Sequence, residues 1–137
     1  MARIFVADDD GPFQELMQEL LQDEGYGVTL LKSADSAYQE IVEASPDLVT
    51  LDMRLAHQHS GWTLLQQLKV NPQTAHIPVV VCTADISLLQ KRGAYMESMG
   101  CYLLEKPFDL EMLLATIREA HAGSAVSTAS TASTGTD

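Results

Sequence analysis

Five polar side chains follow apolar runs of the sequence, and together they have the chemistry of a phosphoryl-transfer site. They are Asp8, Asp9, Asp52, Thr83 and Lys106. Carboxylates bind divalent cations such as Mg²⁺, while an ammonium group and a hydroxyl can bind phosphoryl oxygens. One carboxylate could be the nucleophile of the transfer. These residue types predict a metal and a phosphoryl group, with Asp52 at the centre.

The apolar runs before these side chains have the pattern of buried parallel strands. They cover residues 4–7, 48–51, 78–82 and 102–104. Near-continuous apolar strands separated by helical segments are typical of a parallel sheet covered on both faces. In such a sheet the residues that follow the strands meet at one edge. Since neighbouring strands lie about 4.8 Å apart, we expect the carboxylates to meet, and to repel one another unless a cation neutralises them.

The whole chain reads as five strand–helix units. The predicted strands are 3–7, 28–31, 48–52, 77–83 and 102–105, each followed by apolar residues at helical spacing. Right-handed crossovers then give an α/β fold, a three-layer doubly wound sandwich. From Gly123 the composition changes to Ser, Thr, Ala and Gly. We therefore predict one domain over 1–122 and a disordered tail over 123–137.

Composition limits the function. The chain of 137 residues has 19 acidic and 8 basic residues, a net charge of −11, which disfavours direct nucleic-acid binding. Cys82 and Cys101 fall in or beside predicted strands, so we expect buried free thiols in a reducing compartment. No apolar run approaches the ~18 residues of a membrane span, and no signal-peptide pattern begins the chain. The predicted location is cytoplasmic, away from the membrane.

The sequence resembles the receiver domain of two-component response regulators. The segments that carry the resemblance are VADDD at 6–10, LDMRL at 51–55, SG at 60–61, IPVVVCTA at 77–84 and KPF at 106–108. Each segment alone is a weak signal, but their order and spacing together are specific, and they cover about residues 3–121. The resemblance implies a parallel five-stranded (βα)5 sheet with the flavodoxin-like strand order 2-1-3-4-5.

The resemblance also implies a chemical role for each acidic residue. Asp52 would be the phosphoacceptor, phosphorylated by a sensor histidine kinase or a phosphotransfer protein. Asp9, Asp52 and the backbone carbonyl of Arg54 would bind Mg²⁺, with Asp8 assisting from the second acidic position. The only catalysis implied is phosphorylation of the chain from a phosphodonor and its own dephosphorylation, so the protein is not predicted to be an enzyme.

The same resemblance assigns the remaining site residues and the output. Thr83, Ala84 and Lys106 would bind the phosphoryl group and form the switch. The peptide bond between Lys106 and Pro107 would be cis. Phosphorylation would then change the surface presented to a downstream protein partner. Whether the chain forms a homodimer stays open.

Three positions depart from the family pattern. Ala56 stands where a proline is usual, and the loop between Asp52 and Gly61 is one residue longer. Leu103 occupies the switch position that usually carries an aromatic residue, while Tyr102 lies one place earlier. Because adjacent strand residues face opposite sides of a sheet, we expect Leu103 to pack inward and Tyr102 to lie on the other face.

The sequence also allows comparison with three alternative functions. A degenerate receiver would act as an unphosphorylated protein-interaction module. A phosphatase with an aspartate nucleophile would need a second aspartate two residues after Asp52, where Arg54 stands. A flavodoxin-like electron carrier would need a phosphate-binding Ser/Thr/Gly loop after the first strand, where residues 8–10 are acidic and would repel a phosphate.

Overall fold

Five strands alternate with five α-helices within residues 2–55 and 60–129, which the computed structural model describes. The strands are β1 (Arg3–Ala7), β2 (Gly27–Leu30), β3 (Leu48–Asp52), β4 (Val79–Thr83) and β5 (Cys101–Glu105). The helices are α1 (Gly11–Asp23), α2 (Ala37–Ala44), α3 (Ser60–Val70), α4 (Ile86–Ser98) and α5 (Leu110–Ala129), and a 3-10 turn, Ala34–Ser36, precedes α2. All strand pairs are parallel, in the order β2-β1-β3-β4-β5. The predicted fold and strand order are confirmed.

Each face of the sheet is covered by helices, and the strands are therefore apolar along most of their length. One core lies under α2, α3 and α4 and includes Phe5, Val49 and Val81. The other lies under α1 and α5 and includes Ile4 and Val80. Successive residues of a strand thus enter different cores, and both cores exclude water from the strands that carry the polar residues at their ends.

Aspartate side chains begin the helices next to those polar residues. Asp10 accepts a hydrogen bond from the Phe13 N–H at 3.4 Å and begins α1. Asp85 accepts one from the Leu88 N–H at 3.0 Å and begins α4. Such caps satisfy N–H groups that have no partner within the helix. Because each helix follows a strand, these helix N-termini lie at the carboxyl edge of the sheet.

Gly61 allows α3 to begin close to the loop that follows β3. A Cβ atom added to Gly61 would overlap the backbone of Met53, the residue after Asp52. Gly61 therefore fixes the position of α3 against the segment that leaves Asp52. The predicted start of this helix near Gly61 agrees with the observed start at Ser60.

The last helix extends beyond the boundary predicted from composition. The helix α5 continues through Ala129, past residue 122, and the domain boundary at that residue remains a prediction. A helix that has begun gains one hydrogen bond for each further residue, and no proline interrupts the Ser- and Ala-rich segment after Gly123. Gly123 itself lies against the Tyr102 hydroxyl, where a larger residue would collide. Residues 130–137 of the predicted tail lie outside the described part of the chain.

Among the described residues, none of the helices has the length and apolar character needed to cross a membrane.

We predict that Gly61→Ala lowers the free energy of unfolding by about 1–3 kcal/mol, since the added methyl group displaces backbone atoms. Urea denaturation measures the change. Gly11→Ala is the matched control, because a Cβ at Gly11 meets no atom within 4 Å, and its effect should stay within about 0.5 kcal/mol. Equal changes in the free energy of unfolding for the two substitutions would show that α3 can move away from Met53 without loss of stability.

Candidate functional site

Two neighbouring strands bring the carboxylates together. Asp8 and Asp9 follow β1, and Asp52 ends β3. Ala7 pairs with Leu51 in the register of β1 and β3, so Asp8 and Asp52 occupy equivalent places on adjacent strands. Oxygen atoms of Asp8, Asp9 and Asp52 all lie within 4.8 Å of one another. The meeting of these three side chains, predicted from the sequence, is observed.

Lys106 reaches this acidic cluster from the end of β5. Its Nζ lies 3.3 Å from Asp8 Oδ2 and 4.0 Å from Asp52 Oδ2. The Lys106 N–H donates to the Thr83 carbonyl oxygen at 2.8 Å, which fixes the lysine backbone to the end of β4. The peptide bond between Lys106 and Pro107 is cis. A positive charge is thus held between two carboxylates, and the binding of phosphoryl oxygens by Lys106 remains a prediction.

Burial and hydrogen bonding control the charge on Asp8. Only 3% of its side chain is exposed, compared with 17% for Asp52. Burial raises the pKa of Asp8 above its usual value, and the negative charge of Asp52 acts in the same direction. The Asp10 N–H, which donates to Asp8 Oδ1 at 2.9 Å, and Lys106 act against this rise. A bound cation would relieve the same electrostatic cost.

Thr83 and Arg54 lie at the rim of the cluster. The buried Thr83 hydroxyl accepts a hydrogen bond from the Asp85 N–H at 3.0 Å, and the exposed Ala84 lies between these residues. The Arg54 N–H donates to Asp52 Oδ1 at 3.0 Å. The Arg54 guanidinium lies 3.9 Å from Asp85, but it is 72% exposed, so this pair contributes at most about 1 kcal/mol. The metal role of the Arg54 carbonyl remains a prediction.

Both cysteines are buried free thiols, as the sequence predicted. Cys82 pairs with Asp52 in the register of β3 and β4. Burial raises the pKa of Cys82 to about 12 and also raises the pKa of Cys101. Since the thiolate is the reactive form, the raised pKa disfavours Cys82 as a nucleophile near neutral pH although it adjoins the site.

Sequence reasoning did not assign Phe13 or Gln14 to the site. The Lys106 Nζ lies 4.3 Å from the centroid of the Phe13 ring. The Gln14 side-chain amide donates to the carbonyl oxygens of Asp8 and Leu31, the latter at 3.0 Å. The sequence placed Phe13 in the apolar stripe of α1, to which it also belongs. Phe13 lies in the first turn of α1, soon after three acidic residues. That position is the sequence signal that could have indicated contact with the site.

Leu103 and Tyr102 lie on opposite faces of the sheet, as predicted. Leu103 packs against the core under α2, α3 and α4, and Tyr102 against the core under α1 and α5. A Cβ added to Gly93 would lie 3.3 Å from Leu103 Cδ1, so α4 passes directly over Leu103. Which of the two side chains responds to the site remains a prediction. Ala56 and the longer loop around it lie outside the described residues.

Comparison with known protein families identifies the family to which this fold and its acidic cluster belong. A family model described as the response regulator receiver domain matches residues 4–118. The chain belongs to this family. Phosphorylation-dependent switching is the general function of receiver domains, which are signalling modules of two-component systems rather than conventional enzymes.

Several individual proteins are similar to this receiver domain. RpaA of Synechocystis sp., described as a DNA-binding dual master transcriptional regulator, is 34% identical over 118 residues, which are 86% of this chain and 48% of RpaA. PhoB of Escherichia coli, the phosphate regulon transcriptional regulatory protein, is 32% identical over 85% of this chain and 50% of its own length. The chain thus spans about half the length of these curated relatives.

A solved structure is similar to this chain in fold as well as in sequence. The crystal structure of NtrX from Brucella abortus has a TM-score of 0.78 and 30% sequence identity. The alignment covers 93% of this chain but 29% of NtrX. The similarity therefore concerns the receiver domain and not the remainder of that protein.

The acidic cluster fits the divalent cation that this family uses. Receiver domains bind Mg²⁺ at an acidic pocket. Here carboxylate oxygens of Asp8, Asp9 and Asp52 lie close enough to hold an ion, and Mg²⁺ prefers such hard oxygen ligands, usually one or two carboxylates with several waters. The chain therefore has suitable residues for the ion on the two neighbouring strands.

We predict that Mg²⁺ raises the melting temperature of the wild-type protein and raises it much less in Asp9→Asn. A ligand that binds only the folded state stabilises it by about 1.4 kcal/mol at ten times its Kd. Differential scanning calorimetry across a MgCl₂ series measures the shift. Asp23→Asn, a change of an exposed residue at the end of α1, should respond like the wild type. The same rise in Asp9→Asn would place the ion elsewhere.

Proposed function

We propose that this chain is a phosphorylation-dependent signalling switch in which Asp52 accepts a phosphoryl group. The donor would be a sensor histidine kinase or a phosphotransfer protein. The observation that carries the proposal is the position of Asp52 at the end of β3, with its Oδ2 4.0 Å from the Lys106 ammonium and within the acidic cluster. Asp52 also keeps 17% of its side chain exposed, so a phosphodonor can approach it.

The proposed reaction is a direct transfer. A carboxylate oxygen of Asp52 attacks the phosphorus, and an acyl phosphate bond forms. The bond between phosphorus and the donor nitrogen breaks, and the donor imidazole keeps the electron pair. Lys106 neutralises negative charge on the phosphoryl oxygens during this step. Bound Mg²⁺ supplies further charge neutralisation and is proposed to be held by Asp9, Asp52 and the Arg54 carbonyl, with Asp8 as the second acidic residue.

The proposed switch begins at Thr83. Its hydroxyl accepts the Asp85 N–H at 3.0 Å, and the Asp85 side chain caps α4. If Thr83 turns to donate a hydrogen bond to the phosphoryl group, the geometry of this turn must change. Movement of Thr83 and Ala84 would then be transmitted to the first turn of α4, and a surface for a downstream partner would change with it.

Response regulators interact with histidine kinases and with downstream effectors. For this chain we propose a downstream protein rather than nucleic acid, because the net charge is −11 and a nucleic-acid surface requires clustered bases. The proposed functional domain is 1–122, and 123–137 is proposed to be dispensable. Two buried free thiols are typical of a reducing compartment, which supports a cytoplasmic location.

We predict that the wild-type protein gains about 80 Da, one phosphoryl group, after incubation with acetyl phosphate and Mg²⁺. Asp52→Asn should gain none, because an amide is a poor nucleophile. Intact-mass spectrometry measures both proteins. Asp23→Asn is the control and should be phosphorylated like the wild type.

Two outcomes would contradict the proposal. An equal gain in Asp52→Asn would place the phosphoryl group on another residue. A wild-type protein that binds Mg²⁺ but never gains mass would favour the alternative, a degenerate receiver that acts as an interaction module without phosphorylation. The same measurement on a chain ending at Ala122 tests the proposed domain boundary, and its mass gain should match that of the full chain.

A further inference from the structure

We propose that Phe13 is a positioning residue for the phosphoryl-acceptor site, because the face of its ring holds the Lys106 ammonium beside Asp8 and Asp52. This inference rests on the proposed function of Asp52 and adds a residue that the acidic and basic side chains alone do not reveal. Phe13 touches no reacting atom and acts through the lysine.

The ammonium of Lys106 has three contacts in the described structure. Its Nζ lies 4.3 Å from the centroid of the Phe13 ring, 3.3 Å from Asp8 Oδ2 and 4.0 Å from Asp52 Oδ2. A lysine side chain is flexible and loses considerable rotamer freedom when it is fixed. The two carboxylates alone would draw it toward the nearer partner, Asp8. The ring provides a third point of attachment, which limits where the ammonium can lie.

An aromatic ring suits this place because it attracts a cation without carrying a charge. The face of the ring is electron-rich and binds an ammonium within about 6 Å of its centroid. A fourth acidic residue would attract Lys106 too, but it would add repulsion to a cluster of three carboxylates. The attraction to the ring also persists when the charge of Asp52 changes on phosphorylation. Phe13 can therefore retain the ammonium while its acidic partners change.

Phe13 is itself held on two sides. Its N–H donates to the Asp10 side chain at 3.4 Å, which fixes the first turn of α1. Its ring meets the ring of Phe108 at 6.2 Å between centroids, nearly edge to face at 77°. Phe108 lies two residues after Lys106, so one short turn carries both the ammonium and the ring that supports Phe13. The aromatic pair thereby links the start of α1 to the end of β5.

The first test replaces the ring. Phe13→Leu should slow phosphorylation by acetyl phosphate by about two- to fivefold, the loss expected for one partly exposed cation–π contact. Phe13→Tyr keeps the ring face and should retain nearly the wild-type rate. Melting temperatures of both variants show whether each is folded at the assay temperature.

A second test separates the electrostatics of the ring from its packing. Phenylalanine analogues with one, two and three fluorine atoms, incorporated at position 13, keep nearly the same shape while fluorine withdraws electron density from the ring face. The rate should fall stepwise along the series. The same analogues at Phe5, a fully buried ring in the core under α2, α3 and α4, are the control and should give no graded change.

A third measurement reports the contact without any reaction. Protons on Lys106 Cε should be shifted upfield by the ring current of Phe13 in the NMR spectrum of lysine-labelled protein. Lys32, Lys69 and Lys91 serve as internal references, and loss of a signal in Lys106→Arg assigns Lys106. The upfield shift should disappear in Phe13→Leu and persist in Phe13→Tyr.

The outcomes distinguish this inference from the proposed function. If the wild-type protein is phosphorylated but the fluorinated series shows a constant rate, Phe13 does not position Lys106, and the assignment of Asp52 stands. A slow Phe13→Leu with a constant fluorinated series would mean packing alone and would also overturn the inference. If the wild-type protein gains no phosphoryl group, the proposed function fails, while the ring-current shift still tests the contact.

Discussion

Repulsion among three carboxylates within 4.8 Å of one another is the constraint on which the functional edge of this molecule depends. The structure offsets it with donors that the turns after the strands supply. The Asp10 N–H donates to Asp8, and the Arg54 N–H donates to Asp52. Lys106 adds the positive charge from β5. Because most of these groups belong to the backbone or to rigid turns, the cluster is maintained by the fold rather than by adaptable side chains.

The same arrangement explains why much of the fold was predictable. Strands buried on both faces are mostly apolar, so residues such as Val49 and Val81 identify their strands without reference to tertiary structure. Parallel strands linked by helices then place their final residues at one edge. The meeting of Asp8 and Asp52 follows from these two rules. The opposite orientations of Tyr102 and Leu103 follow from strand alternation alone.

The unpredicted features depend on how separate elements pack. The Phe13 ring reaches Lys106 because α1 lies beside the turn after β5, and the position of Phe13 after three acidic residues indicates only that it lies near the site. The Thr83 hydroxyl accepts a hydrogen bond from the Asp85 N–H, at the point where α4 begins. Composition likewise contains no information about the fit of Gly123 against Tyr102. Sequence patterns therefore predicted strand ends better than contacts between turns.

The buried thiol of Cys82 is a natural probe of local opening in the central sheet. It lies on β4 opposite Asp52, and burial raises its pKa to about 12, so alkylating reagents cannot label it while β4 stays in place. The rate at which Cys82 is alkylated therefore reports how often the central sheet opens, as amide hydrogen exchange does for backbone N–H groups. The phosphorylation proposed for Asp52 would need no such opening, because that carboxylate is partly exposed. The proposed phosphorylation of Asp52 and the opening of the sheet at Cys82 can therefore be measured separately, on neighbouring residues of one molecule.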